Sequence, residues 1–481
     1  MKPGPGGQAP GICLRRASAM VRTTSTSALL ICCLLLAMPG GGARGEETDL
    51  LLAATSSSSL FELYSQHHRA ALEEARTNPR AARILVCQPL YGLANRLRAM
   101  MSCFVIALAT NRIMFVDWEH QHTKFYEKEI RDMPGGQPAR LGDLLEPPGF
   151  AWDAQDARGL ISERFSSGKV LHLADDVERD ETLLCRNISS ALSQYDVVTL
   201  KTYFWWELAL HNPLYEEKFA RIAGRDEIGV INIWKELGPR LFRPVKEVRV
   251  MMSALEKLFL PDRLKVGLHI RMGGNWFDQA DKHPRGDKLP VEIAKCSIAV
   301  IPRERREEPV TYFLVSDNST AKSMARYVLA SGERGERARC SLLEDDCLAS
   351  IPMSREERTA VALLNVRVFD YRSGSRIVML DGQVNRESVF DVKIAMAEMF
   401  AMSKVDRLVR STGSTFMTVA YSFLPKPTWY VEERSLNCHK QATNEPMALG
   451  NSDAIINQVA TSTSCFNPKT MITFPWIASP T

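Results

Sequence analysis

The run from Ile84 to Trp118, ILVCQPLYGLANRLRAMMSCFVIALATNRIMFVDW, constrains the fold more than any other stretch of the chain. Ile84 to Cys87 is a short apolar strand signal, Gly92 permits a tight turn, and Asn95 is placed to cap a helix. Leu97 to Ala109 then carries apolar residues on most helical positions. Ile113 to Val116 supplies the next buried strand, closed by Asp117. Strand, turn, helix and strand make one α/β unit, and a polar turn at the carboxyl end of a parallel strand is where open α/β sheets bind ligands. Asn95 and Arg96 sit at that turn, although the same pair also suits a cap and a surface charge.

At 481 residues and 45% hydrophobic content, the chain exceeds the size at which one core keeps growing. Two domains of roughly 150 to 200 residues are therefore expected. The formal charge of +4 is small, and Lys and Arg alternate with Asp and Glu in RERREE (303 to 308) and GERGERAR (332 to 339). Such mixed runs are solvated faces, and nothing in them calls for a nucleic-acid partner.

The amino terminus reads as a targeting segment. Lys2, Arg15, Arg16 and Arg22 precede an apolar stretch from Ala28 to Met38, and small residues follow before Arg44. That stretch is shorter than the ~20 residues of a spanning helix, which favours a cleaved signal peptide. Residues 23 to 43 are all uncharged, so a short signal anchor with a lumenal body is the other reading. Eight cysteines lie beyond the leader, Cys87, Cys103, Cys185, Cys296, Cys340, Cys347, Cys438 and Cys465, with no paired-Cys metal spacing. Disulfides are expected, with Cys340–Cys347 and Cys438–Cys465 the first local pairings to test; spacing does not fix the connectivity, and buried thiols are the alternative for Cys87 and Cys103. Asn187-Ile-Ser and Asn318-Ser-Thr are glycosylation sequons that fit an exported protein.

Along the chain we expect a leader at 1–45, a spacer at 46–83 with one helix opened by a Ser59/Glu62 capping box, a first domain at 84–243, a second at 244–440 and a tail at 441–481. Residues 236 to 240, Glu-Leu-Gly-Pro-Arg, read as a linker between the domains. The second domain alternates helix and strand, and three of its strands end in polar residues. In LKVGLHIRMGGN (264 to 275), His269 and Arg271 project from one face of a strand ahead of two glycines. A guanidinium suits a diphosphate because its planar fork donates two charge-assisted hydrogen bonds. In TYFLVSDNST (311 to 320), Asp317 either meets the N–H donors of a base or caps the next helix. In LVRSTGSTFMTVAY (408 to 421), hydroxyls and backbone amides form an anion cradle at a helix start.

Six stretches in order carry a family resemblance: GLANRLRAMMSCFVIALATNRIMFVDW, YFWWELALHNPLY, LFRPVKEV, VGLHIRMG, LVSDNS and MAEMFAMSKVDRLVRSTGSTFMTVAY. Between Ile84 and Val431 the chain resembles the plant xyloglucan-type fucosyltransferases and, more distantly, the α1,6- and nodulation fucosyltransferases. The resemblance implies a GT-B enzyme, α/β, with two Rossmann-like domains facing across a cleft. GDP-fucose is then held by the second domain and an oligo- or polysaccharide acceptor by the first. It assigns Arg271 to the diphosphate, His269 and Asp317 to guanosine, Ser414, Thr415 and Phe416 to the phosphate and nucleoside side, and Asn95 with Arg96 to the cleft near the sugar. The chain departs from the family at Ala94, where the plant motif has Gly, at HIR in place of IQIR, and at Met417, where a Gly follows the Phe.

No Asp-x-Asp, HExxH or paired-Cys motif is present, so side-chain cations are expected to neutralise the leaving group without a metal. Asp278 and Asp281 are the carboxylates considered as a base for the acceptor hydroxyl, and Trp118, Tyr203, Trp205 and Trp206 as platforms for its sugars. The expected compartment is the Golgi lumen, with secretion as the alternative. A non-catalytic GDP-sugar or glycan-binding module is the competing function. A dinucleotide oxidoreductase is disfavoured because no strand-to-helix turn reads GxGxxG with an acid about twenty residues on.

Overall fold

A computed structural model describes residues 50, 54, 56–90, 92–121, 139–173, 187–202, 212, 214–215, 218–219, 230–272, 288–332, 351–370, 375–380, 388–412, 414–423, 426–432 and 435–440. All of them belong to one compact unit, Asp49–Thr481. The leader, the carboxyl-terminal tail, Asp278, Asp281, Tyr203, Trp205, Trp206, Cys185, Cys340, Cys347 and Cys465 lie outside the described residues.

The first half opens with helix α1 (Ser57–Thr77), strand β1 (Ile84–Pro89), helix α2 (Leu93–Thr110) and strand β2 (Ile113–Val116). Then come α3 (Leu141–Leu144), β3 (Leu145–Glu146), α4 (Arg158–Ser167), β4 (Val170–Leu173), α5 (Ile188–Leu192) and β5 (Val197–Thr202). Four strands form a parallel sheet in the order β2-β1-β5-β4, with Ile84 opposite Ile113 on one side and Val197 on the other. By length and composition α2 could cross a membrane, but 89% of it is buried inside the protein, so it is a core helix.

Helix α1 starts earlier than its expected capping box. Ser56 is the cap, its hydroxyl accepting from the Ser59 N–H while the Ser59 hydroxyl answers the Ser56 N–H. A tract of serines offers this exchange in more than one register, and the helix takes the first one. Tyr64 and His68, one turn apart, close the outer edge of β2. The Tyr64 hydroxyl donates to Arg112 O and accepts from the Met114 N–H, both at 3.0 Å, and His68 Nε2 donates to Met114 O at 3.1 Å. The helix read as part of a spacer is thus packed into the first sheet.

The second half comprises α6 (Val230–Leu241), β6 (Arg243–Pro244), α7 (Lys246–Leu258), β7 (Leu264–Ile270), α8 (Leu289–Ala299), β8 (Val310–Ser316) and α9 (Ser319–Gly332). It continues through α10 (Arg355–Leu363), β9 (Val366–Asp370), β10 (Arg376–Leu380), α11 (Val389–Met402), β11 (Arg407–Ser411), α12 (Thr415–Phe423), β12 (Thr428–Val431) and β13 (Cys438–Lys440). Seven strands form the second sheet in the order β13-β12-β11-β7-β8-β10-β9, parallel except at its two edges. Val266, Leu268 and Ile270 of β7 face the core under α8 and α9. Gly267 and His269 alternate to the opposite face. A Cβ on Gly267 would lie 2.6 Å from Met402 Sδ, so α11 packs there only because the strand has no side chain.

Residues 236 to 240 are helical rather than a linker, because α6 packs against α12. Gly238 lets the Phe423 ring come within 3.1 Å of where its Cβ would be, and Trp234, Phe242 and Phe400 surround that ring at centroid distances of 5.7, 6.2 and 4.8 Å. One apolar cluster runs without interruption from α1 and α2 through α11 and α12 to β8 and β10. Two disulfides also differ from expectation. Cys87 and Cys103 join β1 to α2 instead of remaining thiols, and Cys438 pairs with Cys296 of α8, not with Cys465. Cysteines far apart in the chain are brought together by the sheet, which spacing alone does not reveal.

Candidate active site

Strand β7 is the branch point of the second sheet: the chain leaves it for β8 on one side and returns to β11 on the other. The crevice beyond the carboxyl ends of such strands is the ligand site of open α/β sheets. Three strand ends meet there. The Arg271 N–H, just past β7, donates to Ser411 Oγ at the end of β11, 3.0 Å away. Arg271 Nη1 donates to Asp317 Oδ2, just past β8, at 2.6 Å, and the Met272 N–H donates to Asp317 Oδ1 at 2.9 Å. Ser316 Oγ ties β8 back to Ile270 O at 2.7 Å.

Asn318 resolves the double reading of Asp317. Its Oδ1 accepts from the Ala321 N–H at 2.8 Å and caps α9, so the neighbouring carboxylate is left for Arg271. Both Asp317 oxygens are engaged within the protein, which makes the carboxylate an orienting group for the guanidinium. The Arg271 side chain keeps 31% of its surface exposed against 15% for Asp317, so the cation is the member that faces the crevice. His269 is buried and stacks on Phe416 of α12, ring centroids 5.2 Å apart and planes 12° from parallel. Ser414 is also buried beside the start of α12. The Thr415 side chain lies outside the described residues. The expected nucleotide residues Arg271, Asp317, His269, Ser414 and Phe416 therefore gather around the ends of β7, β8 and β11.

At the carboxyl end of the first sheet the capping assignment changes. Gly92, with an ordinary φ of −68°, is the N-cap of α2, and Asn95 lies within the first turn. A Cβ on Gly92 would meet nothing within 4 Å, so no protein contact requires glycine there. The Asn95 Oδ1 is buried without a hydrogen-bond partner among the described residues. Arg96 is buried, with its guanidinium over the Trp118 ring at 4.8 Å, and Trp118 Nε1 donates to Ala139 O at 2.8 Å. Trp118 is consequently a packing residue engaged by Arg96 and not an open sugar platform.

Sequence reasoning passed over Glu398 and Lys322. Glu398 is fully buried in α11, and burial lifts its carboxyl to about 7 against the pull of the Lys322 ammonium. Lys322 Nζ donates to Leu380 O at the end of β10, at 2.9 Å. The available signal was one carboxylate in the otherwise apolar stretch MAEMFAM. Among the described residues no three His, Cys, Asp or Glu side chains are grouped to hold a metal ion.

No family model matches the chain. It is 23% identical over 375 residues to probable fucosyltransferase 4 of Arabidopsis thaliana, covering 70% of this chain and 60% of that protein. It is 25% identical over 344 residues to the galactoside 2-alpha-L-fucosyltransferase of Pisum sativum, covering 68% and 54%. Among solved structures, a mutant of Arabidopsis thaliana FUT1 in complex with GDP superposes with a TM-score of 0.51 at 17% identity, covering 80% of this chain and 82% of that one. This chain resembles the plant fucosyltransferases in sequence and shares the GT-B fold of one of them. It spans less than two thirds of the length of the curated relatives it matches.

Proposed function

We propose that the chain is an inverting fucosyltransferase that moves L-fucose from GDP-fucose to a hydroxyl of a glycan acceptor. The observation that carries this reading is Arg271, held at the branch point of the second sheet by Asp317 and Ser411. A fixed guanidinium at that point neutralises the diphosphate as the glycosidic bond breaks, and its preorganisation means little rearrangement is needed as charge develops. The oxocarbenium-like sugar gains positive charge in the same step. His269, stacked on Phe416, and Ser414 lie on the nucleoside side, while Asn95 supplies an acceptor oxygen for a sugar hydroxyl. Asp317 positions Arg271 rather than reading the base. Asp278 and Asp281 are kept as the carboxylates for the acceptor proton.

No step in this scheme needs a metal, because Arg271 carries the charge that a cation bound by Asp-x-Asp would supply. The disulfides Cys87–Cys103 and Cys296–Cys438 favour an oxidising lumen, in keeping with the leader and with a Golgi location. The deciding test is a donor screen on purified protein comparing GDP-fucose with GDP-mannose and UDP-sugars, with Arg271→Ala as control. Turnover of GDP-fucose that collapses in the variant supports the reading. GDP binding without turnover on any acceptor would replace it with a non-catalytic binding module.

A further inference from the structure

Asn187-Ile-Ser and Asn318-Ser-Thr have the spacing of N-glycosylation acceptors, and the fold treats the two differently. Asn187 is exposed and forms the N-cap of α5, with Ile188 buried next to it. Its Oδ1 accepts from the Ser190 N–H at 3.0 Å and from the Tyr215 hydroxyl at 3.1 Å. The same hydroxyl accepts from the Ser189 N–H at 3.0 Å, so the buried Tyr215 clamps the sequon from the protein side. Two donors identify the oxygen of the planar amide, which leaves Nδ2 as the end turned away from them. Neither Asn187 Nδ2 nor the Ser189 hydroxyl is hydrogen-bonded among the described residues. A substituent on Nδ2 keeps Oδ1 as an acceptor, so the cap survives modification.

The position of Asn187 also keeps such a substituent clear of the cleft. Arg112 donates to Ile84 O at the start of β1, to Asp196 O just before β5, and to Leu192 O at the end of α5. The end of α5 is therefore fixed at the amino edge of the first sheet. Five residues at about 1.5 Å each put Asn187 within about 8 Å of that point, whereas the six residues of β1 carry the chain about 20 Å to the opposite edge, where Asn95 lies. Asn318 has the contrary setting. It is half-buried, its N–H donates to Ser316 Oγ at 3.1 Å, its Oδ1 holds the Ala321 N–H, and it directly follows Asp317, the partner of Arg271. A saccharide there would stand among the strand ends that form the candidate active site.

We infer that Asn187 carries an N-linked glycan in the folded protein and that Asn318 does not. In the transfer, Asn187 Nδ2 forms a bond to the anomeric carbon of a lipid-diphosphate-linked oligosaccharide. The bond from that carbon to the diphosphate oxygen breaks, the lipid diphosphate leaves with the electron pair, and one Nδ2 proton is released. The inference rests on export of the chain, to which the leader and the two disulfides point, and it is independent of the fucosyltransferase reading. Both sequons meet the transfer machinery, but only a glycan at Asn187 is compatible with the packed structure.

The experiment expresses the full chain with its own leader in a eukaryotic secretory host. The folded protein is treated with peptide N-glycosidase in heavy-oxygen water, which converts a glycosylated Asn to labelled Asp, and is mapped by mass spectrometry. Label is expected at position 187 and not at 318. One enzyme-sensitive mobility shift is expected in wild type and in Thr320→Ala, and its loss in Asn187→Gln and Ser189→Ala. Ser189→Ala retains the Asn187 cap, so loss of the shift in that variant is separated from misfolding. Bare Asn187 in folded wild type, label at Asn318, or a shift that persists in Ser189→Ala overturns the inference and leaves the enzyme reading intact. Bare protein recovered with free thiols overturns it together with the export reading.

Discussion

Arg271 and Asp317 meet across the ends of two neighbouring strands, Nη1 to Oδ2 at 2.6 Å, while the second Asp317 oxygen holds the Met272 N–H. The carboxylate fixes both the guanidinium and the backbone that follows β7. Substituting the two residues therefore separates charge from orientation. Arg271→Ala is expected to lower kcat by about 10² to 10³, the loss seen when one preorganised electrostatic donor is removed. Asp317→Asn is expected to lower kcat about tenfold with GDP affinity nearly unchanged. Titration calorimetry with GDP checks the second outcome, and a collapse of affinity in Asp317→Asn returns that residue to the guanosine.

Asn95 lies in the first turn of α2, at the carboxyl end of the first sheet, and its buried amide oxygen has no hydrogen-bond partner among the described residues. Asn95→Ala is expected to reduce turnover roughly ten- to hundredfold and to leave GDP binding within a small factor of wild type. Steady-state kinetics paired with GDP binding is the measurement, and a large loss of GDP affinity contradicts the assignment.

His68 makes stability depend on acidity. Burial, with a smaller contribution from His67, lowers its pKa from 6.5 to about 4 against the hydrogen bond to Met114 O. Because the folded value lies below the unfolded one, the unfolded chain binds the proton first, and stability present above pH 6.5 is lost as the pH falls toward 4. The loss is about 3 kcal/mol at most. Chemical denaturation across that range, repeated on His68→Gln, tests it: the variant is expected to show a flatter profile.

Gly267→Ala places a methyl 2.6 Å from Met402 Sδ and 3.0 Å from Leu408 and Val405. Met402 is flexible, but two further contacts close the space, so a destabilisation of about 1 to 3 kcal/mol is expected. Thermal melting decides this, and an unchanged midpoint means α11 moves freely away from β7.

The strands and helices of the second sheet were legible because burial on both faces produces apolar runs such as Val310–Ser316, and because the polar ends stand out against them. Arg271, Asp317 and Ser414 were singled out for that reason. The bridge between Arg271 and Asp317 was not, since their pairing depends on β7 and β8 being neighbours. Gly238 and Pro239 read as chain punctuation, yet α6 continues through them because Phe423 packs against the bare Gly238. The antiparallel edge strand Val366–Asp370 carries polar residues that blur its period. Cys296 and Cys438 are 142 positions apart, and only the packing of β13 beside α8 joins them.

The apolar cluster shared by α2, α11 and α12 has a consequence for how the molecule comes apart. Each sheet has a smaller cluster of its own on its other face, but the shared one cannot be divided between them, and separating the sheets exposes Phe423 together with Trp234 and Phe242. Heating therefore offers no partly melted species in which one sheet survives alone, and calorimetry is expected to record one cooperative endotherm where two loosely tethered Rossmann-like halves give two.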